Sequence, residues 1–227
     1  MRTAEKRKHL KHKETVNRYI LFIIGLFFSG LGVAITKRGG LGVSPISSVP
    51  NVISLKWSFF TLGTWLLIWN CILLLGQILI LRKKFKPIQL LQIPLSVLFG
   101  WFTDFGLWLA GFIPANFYPV RLLLVVAGTA LLGFGIALSV IANVIMNSGE
   151  AFVKAIADET KFAFGNVKIV FDVTNVVLAL LISLLLFGGE VVGMREGTVI
   201  AALCTGVFVK FFQKRLQKPL NKLLATA

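Results

Sequence analysis

The sequence predicts an all-α membrane protein. Six transmembrane helices form two inverted three-helix repeats, with a short amphipathic or re-entrant helix after the first span of each repeat. Three observations lead there: long uncharged apolar stretches, basic residues confined to alternate loops, and a second half that repeats the first.

Of the 227 residues, 56% are hydrophobic, and the mean hydropathy is +0.85. Five stretches approach or exceed the roughly 18–20 residues needed to cross a bilayer. They are Tyr19–Thr36, Phe59–Leu81, Gln89–Phe112, Leu122–Val140 and Asn166–Phe187. A sixth, Gly197–Phe212, is shorter and carries no charge before Lys210. The basic tail before the first span imitates a secretory leader. It lacks a small-residue cleavage site, and the span recurs later, so the span is read as permanent. The domains are then a basic tail over 1–18, membrane repeats over 19–113 and 119–212, and a second basic tail over 213–227.

A net charge of +15 invites a nucleic-acid reading, but the distribution excludes it. Nineteen of the 24 Lys and Arg fall in the two tails and in the loops after spans two and four. With six alternating spans these are all on one side. The positive-inside rule makes that side the cytoplasm, with both termini in it. The basic ends also suit contact with anionic lipid.

At a constant offset of 103, the segment starting at Arg18 matches the one starting at Arg121 at six of nineteen positions. Arg18, Leu21, Gly25, Gly30, Gly32 and Ala34 meet Arg121, Leu124, Gly128, Gly133, Gly135 and Ala137. The later spans align at offsets of 105 and 106, where Asn70 meets Asn175 and Gly100 meets Gly206. Three spans per repeat is an odd number, so the second repeat enters from the opposite side. Inverted repeats recur in secondary transporters, with solute bound near the midplane.

Three segments carry a family resemblance: GLGVAITKRGGLGVSP near the start, SGEAFVKAIADET in mid-chain and EGTVIAALCTG near the end. Over roughly Arg18 to Phe212 the chain resembles the YczE/YyaS/YitT-like family of bacterial integral membrane proteins. The resemblance implies a multi-pass protein of the bacterial plasma membrane. It implies no particular substrate.

Candidate site residues follow from polar chemistry placed in apolar surroundings. Ser44 before Pro45 reads as a helix N-cap with proline at the first position. Asn147 and Glu150 have capping-box spacing, and Glu150 and Lys154 form an i,i+4 pair. Ser44 and Ser148 correspond between repeats. Each repeat thus offers a helix start, where free N–H groups and the dipole favour an anion. The plainer alternative lays both short helices flat in the two interfaces. Asp172 lies inside span five, with Lys168 at i−4 and Asn175 at i+3. Buried charge in a membrane is costly and usually faces a cavity, so Asp172, Asn175 and Asn70 are expected to share an interior space. The other reading of Asp172 is a simple pair with Lys168. Gly25, Gly30, Gly32, Gly128, Gly133 and Gly135 are expected to let spans one and four approach closely. Lys37 and Arg38, on the outer side, form either a basic mouth or a salt bridge to Asp104, Glu190 or Glu196.

Two cysteines within spans, and two histidines in the basic tail, leave no metal-ligating set. No nucleotide loop, metalloprotease motif or nucleophile triad is present, so no enzyme and no cofactor are expected. The function expected is transport or binding of a small solute between the repeats, with an anion as one candidate. The alternatives are a membrane-bound regulatory protein and the substrate-binding membrane subunit of an ATP-driven importer. Expected partners are membrane lipid and the solute, then a second copy or another membrane protein, and no nucleic acid.

Overall fold

The computed structural model describes the backbone of residues 2–226 and the side chains of residues 14–224. The basic residues Arg2 to Lys13, and both histidines, therefore lie outside the described side chains. The described residues form eight α-helices and no strand: α1 (Arg2–Gly39), α2 (Pro45–Lys56), α3 (Leu62–Leu81), α4 (Gln92–Ala110), α5 (Tyr118–Ala142), α6 (Ser148–Thr160), α7 (Phe164–Leu186) and α8 (Glu196–Thr226). Two short 3-10 turns, Arg82–Lys84 and Pro87–Leu91, join α3 to α4. Six helices are long and apolar enough to span a membrane, in the segments Glu14–Gly39, Leu62–Lys84, Pro87–Ala110, Tyr118–Ala142, Phe164–Leu186 and Glu196–Leu224. Large apolar side chains such as Leu79, Leu185 and Leu203 stand on the outside of the bundle, which suits a lipid solvent.

The centre is the antiparallel pair α1 and α5, the most extensive packing in the molecule. Glycines permit it. A Cβ on Gly25 would stand 2.7 Å from the Gly135 carbonyl, and one on Gly32 would stand 2.7 Å from that of Gly128. Both are far inside contact distance, so the backbones touch where any side chain would separate them. Gly30 and Gly133 do not take part in this contact. They face outward from the pair and admit α4 (at Phe102 and Thr103) and α8 (at Phe208 and Val209).

Each end of the central pair is tied by an arginine from the other helix. Arg18 donates to the carbonyls of Ile141 and Ala142, which end α5, at 3.4 and 3.2 Å. Arg121 donates to those of Gly39 and Gly40, which end α1, at 2.8 and 2.9 Å. A cation on the last carbonyls satisfies acceptors that have no helical partner and meets the negative dipole end. Both helices then stop on a left-handed residue, Gly40 (φ 66°) and Asn143 (φ 51°), the two types that tolerate it best.

Around the pair, α4 packs on α1 and α8 on α5. The short helices cross over: α2 packs more extensively on α7 than on its neighbour α3, and α6 more on α3 than on α7. α2 is buried nearly all round, including Ser47, Ser48, Asn51 and Ser54. The interfacial placement is therefore wrong for α2, because a helix with no exposed polar face has nothing to present to water. α6 keeps Lys154, Asp158 and Glu159 exposed.

Among the described residues, the early part of α1 and the late part of α8 meet at one end of the bundle. α8 runs past the apolar stretch as helix, and Leu224 packs with Leu21 and Phe22 of α1 and with Ile141 and Ala142 of α5. Leu216, Leu220 and Leu224 recur every four residues, one helical face, so the basic segment after 212 is also a packing element.

Candidate functional site

The chain leaves α1 at the Gly39–Gly40 turn, runs inward through the buried residues Leu41 and Val43, and starts α2 at Ser44. It leaves α5 at Asn143 and starts α6 after Asn147. The two helix starts meet: the Ile46 side chain sits directly against Gly149. Two positive dipole ends are therefore brought close together.

Hydroxyls line both starts. Ser44 is 5% exposed and Ser148 3% exposed. The Ser44 hydroxyl donates to Ser47 Oγ at 3.0 Å, and that of Ser48 donates to the Ser44 carbonyl at 3.1 Å. Neither Ser44 nor Asn147 makes a side-chain cap bond, so the capping box read from Asn147 and Glu150 does not form. The Ser148 hydroxyl is buried with no partner at all. An unpartnered buried polar atom is costly, and such atoms are uncommon in native interiors.

Beside the start of α6 stands a charge cluster. Glu150 faces Lys168 and Asp172 of α7 in place of Lys154, and Lys168 pairs with Asp172 through Nζ and Oδ1. Lys168 Nζ also lies 5.6 Å from the Phe171 ring centroid. Burial pushes the Glu150 carboxyl above the usual carboxylate range. Lys168 and Glu150's own N–H oppose that push, and Asp172 adds to it. Lys154 is exposed and forms no ion pair with Glu150, although the two are an i,i+4 pair on α6.

The buried stripe of α7 is Val167, Phe171, Asn175, Ala179 and Ser183. Asn175 is 2% exposed, and its Nδ2 donates to the Phe171 carbonyl at 2.8 Å, leaving Oδ1 unpartnered. Trp69 of α3 packs against both apolar clusters that this stripe joins, and its indole N–H is also unpartnered. Asn70, one residue on, is half-buried and makes no side-chain hydrogen bond among the described residues. Trp69, Ser47 and Ser48 were not singled out from sequence, since a tryptophan in an apolar span and serines in a short helix carry no spacing signal. Among the described residues, no three side chains of metal-ligating type converge.

The two ends of the bundle are built differently. Away from the termini, Lys37 Nζ donates to Ser54 Oγ at 3.2 Å and lies within electrostatic reach of Asp104. Asp104 Oδ1 accepts the Gly63 N–H at the start of α3 at 2.8 Å. Arg38 donates to the Ile113 carbonyl at 2.9 and 2.7 Å. Lys37 is thus tied into the bundle and Arg38 onto the loop beyond α4. Neither makes an ion pair with Glu190 or Glu196. At the terminal end, a cleft of about 380 Å³ opens beside α6, lined by Met146, Lys154, Ala157, Asp158, Phe162 and Phe164.

Residues 16–214 match the model of a family of unknown function, DUF6198. The chain belongs to that family. It is also similar to the uncharacterized protein YyaS of Bacillus subtilis (strain 168), with 30% identity over 146 residues. That match covers 64% of this chain and 62% of YyaS, less than two thirds of the relative's length. No solved structure matches the chain. This DUF6198 protein is thus a multi-pass membrane protein with a bacterial relative.

Proposed function

We propose that this protein is a small permease-type transporter whose solute carries an anionic group and binds where the starts of α2 and α6 meet. The observation that carries the reading is the convergence of two buried helix starts, lined by Ser44 and by a Ser148 hydroxyl that has no partner. Free N–H groups, hydroxyls and aligned dipoles suit a carboxylate, phosphate or sulfate group. Asn147 and Glu150 flank the α6 start, and Asp172, Asn175 and Asn70 stand on the spans behind it.

The reading includes two inverted repeats, 19–113 and 119–212, with both termini in the cytoplasm. Its supports are the antiparallel α1–α5 pair, the exchanged contacts of Arg18 and Arg121, and the crossed packing of α2 on α7 and α6 on α3. Solute sites of inverted-repeat transporters lie between the halves, at helix ends like these.

The test uses the purified protein in detergent with small carboxylates, phosphate and sulfate, followed by uptake of any binder in proteoliposomes. At least one anion should raise the melting temperature in a saturable way. Ser148→Ala and Asp172→Asn should weaken that shift while membrane insertion stays intact. If no anion binds, or if Lys168 and Asp172 replaced together by apolar residues leave uptake unchanged, the reading of the site is wrong. A regulatory contact protein would then be the better description.

A further inference from the structure

The start of α6 already holds an anionic side chain of its own. The first backbone bond of this helix runs from the Ala151 N–H to the Asn147 carbonyl at 2.9 Å, so the N–H groups of Ser148, Gly149 and Glu150 have no helical acceptor. The Glu150 N–H is directed at its own carboxyl. That carboxyl therefore uses the same positive helix end that would draw a solute's anionic group.

The charges around Glu150 make the two compete. Two carboxylates, Glu150 and Asp172, face one ammonium, Lys168, and Asp172 pairs with it directly. With all three ionised, one negative charge is left uncompensated. Lys154 and Asp158 of α6 itself are exposed. α3, also packed on α6, has Cys71 as its one titratable side chain, and Lys84 just beyond it pairs with Glu159 at 2.6 Å, near the far end of α6. α2 reaches this place through Ile46, against Gly149, and carries its one charge, Lys56, at its opposite end. Burial already favours the protonated Glu150 carboxyl. An anion bound beside it would favour that form further, since like charges in a poorly solvated place repel strongly.

We propose, resting on the transporter reading, that Glu150 is a proton-coupling site: an anion binds at the α6 start with Glu150 protonated, so one proton is carried with each anion. The proton passes from water to a Glu150 carboxylate oxygen, while Asp172 keeps its pair with Lys168. With a singly charged group, the loaded site carries the same charge as the empty one. The first repeat has no counterpart, because Ile46, Gly63 and Leu67 stand where the second has Glu150, Lys168 and Asp172. Proton and anion then raise each other's affinity by the same factor.

The experiment titrates acetate, pyruvate, phosphate and sulfate into the full chain in detergent over a range of pH. Protons taken up on binding are counted in weak buffer, after subtraction of the anion's own titration. In wild type the dissociation constant should rise with pH by up to about tenfold per pH unit, with up to one proton taken up per anion. Glu150→Gln should bind with little pH dependence and take up none. Asp172→Asn frees Lys168 to hold Glu150 charged, and should move proton uptake to lower pH. In proteoliposomes, an acid exterior should drive accumulation of the bound anion by wild type and not by Glu150→Gln. Binding without proton uptake, or uptake that survives Glu150→Gln, overturns the coupling and leaves the anion site standing. Proton-linked binding that a pH gradient cannot turn into accumulation overturns it as well. If Glu150→Gln does not fold, the wild-type proton count and the Asp172→Asn shift decide. If none of the four anions binds at any pH, the anion site falls and the coupling with it.

Discussion

Gly32→Ala isolates what holds the centre together. The new methyl carbon would stand 2.7 Å from both the Gly128 carbonyl oxygen and Leu132 Cα. The Leu132 backbone nitrogen is closer still. Carbon needs roughly 3.5 Å or more, so α1 and α5 must part by about 1 Å. All three obstacles are backbone, and no side chain can swing away. Overpacking of this kind costs about 1–3 kcal/mol. Replacing a helical glycine by alanine returns about 0.8–1 kcal/mol of that. The net loss is therefore up to about 2 kcal/mol, or up to about 8 °C in melting temperature for a chain of this size. Gly206→Ala is the control, since the space around Gly206 is empty. It should be neutral or stabilising by up to about 1 kcal/mol. Thermal unfolding in one detergent, read by near-ultraviolet circular dichroism, compares the two. If Gly32→Ala melts at or above Gly206→Ala, the backbone contact is not what closes the pair.

Arg121→Ala should lower stability by about 1.5–3 kcal/mol, the usual loss for hydrogen bonds to a charged group. Arg18→Ala should cost less, because its bonds to α5 are longer and Glu14 shares its charge; an Arg121→Ala that melts like wild type refutes the capping role. For Glu150, burial makes the folded-state carboxyl titrate above its ordinary value of 4.5. The folded state therefore binds that proton more tightly, and its contribution is fully present below 4.5 and lost as pH rises through the folded value. Glu150→Gln cannot lose a proton, so its advantage in melting temperature over wild type should grow with pH across that window; a gap independent of pH counts against the buried carboxyl. Reporter fusions after Arg82 and Lys214 should read cytoplasmic and one near Ala115 external, whereas an external C-terminus would overturn the orientation.

Span number was legible because lipid demands about twenty apolar residues per helix, and nothing else in a short chain looks like that. The glycines of α1 and α5 were legible as packing residues but not by partner. Gly30 and Gly133 sit only two residues from Gly32 and Gly135, and two residues on a helix is a turn of about 200° to another face. The burial of α2 was legible in part: Pro50 and an uncharged, serine-rich face argued for a re-entrant helix beside the interfacial alternative, but that its main wall is α7 was not readable. At the candidate site, Ser44, Ser148, Glu150 and Asp172 could be named from sequence. The exchange of Lys154 for Lys168 as the cation facing Glu150 could not, because it depends on how α6 rolls against α7. Arg18 and Arg121 were visible as a matched pair, while their task at each other's helix ends required the antiparallel register.

The crossed packing of α2 and α6 also constrains how the protein can be made. α2 is too short to stay in the membrane as a span, and its main wall is α7. Roughly 130 residues separate the end of α2 from the end of α7, which at about 5–20 residues per second is about 7–26 s of synthesis. Through that interval its serines and Asn51 have no finished interior to enter. The first half must therefore wait at the insertion machinery or at the membrane surface, half assembled, until the second half supplies the missing wall. Each half in turn completes the other, so the chain cannot be cut into two independently folding pieces at the 113–119 link. Fragments made separately should each be degraded, and both should survive only when they are made in the same cell.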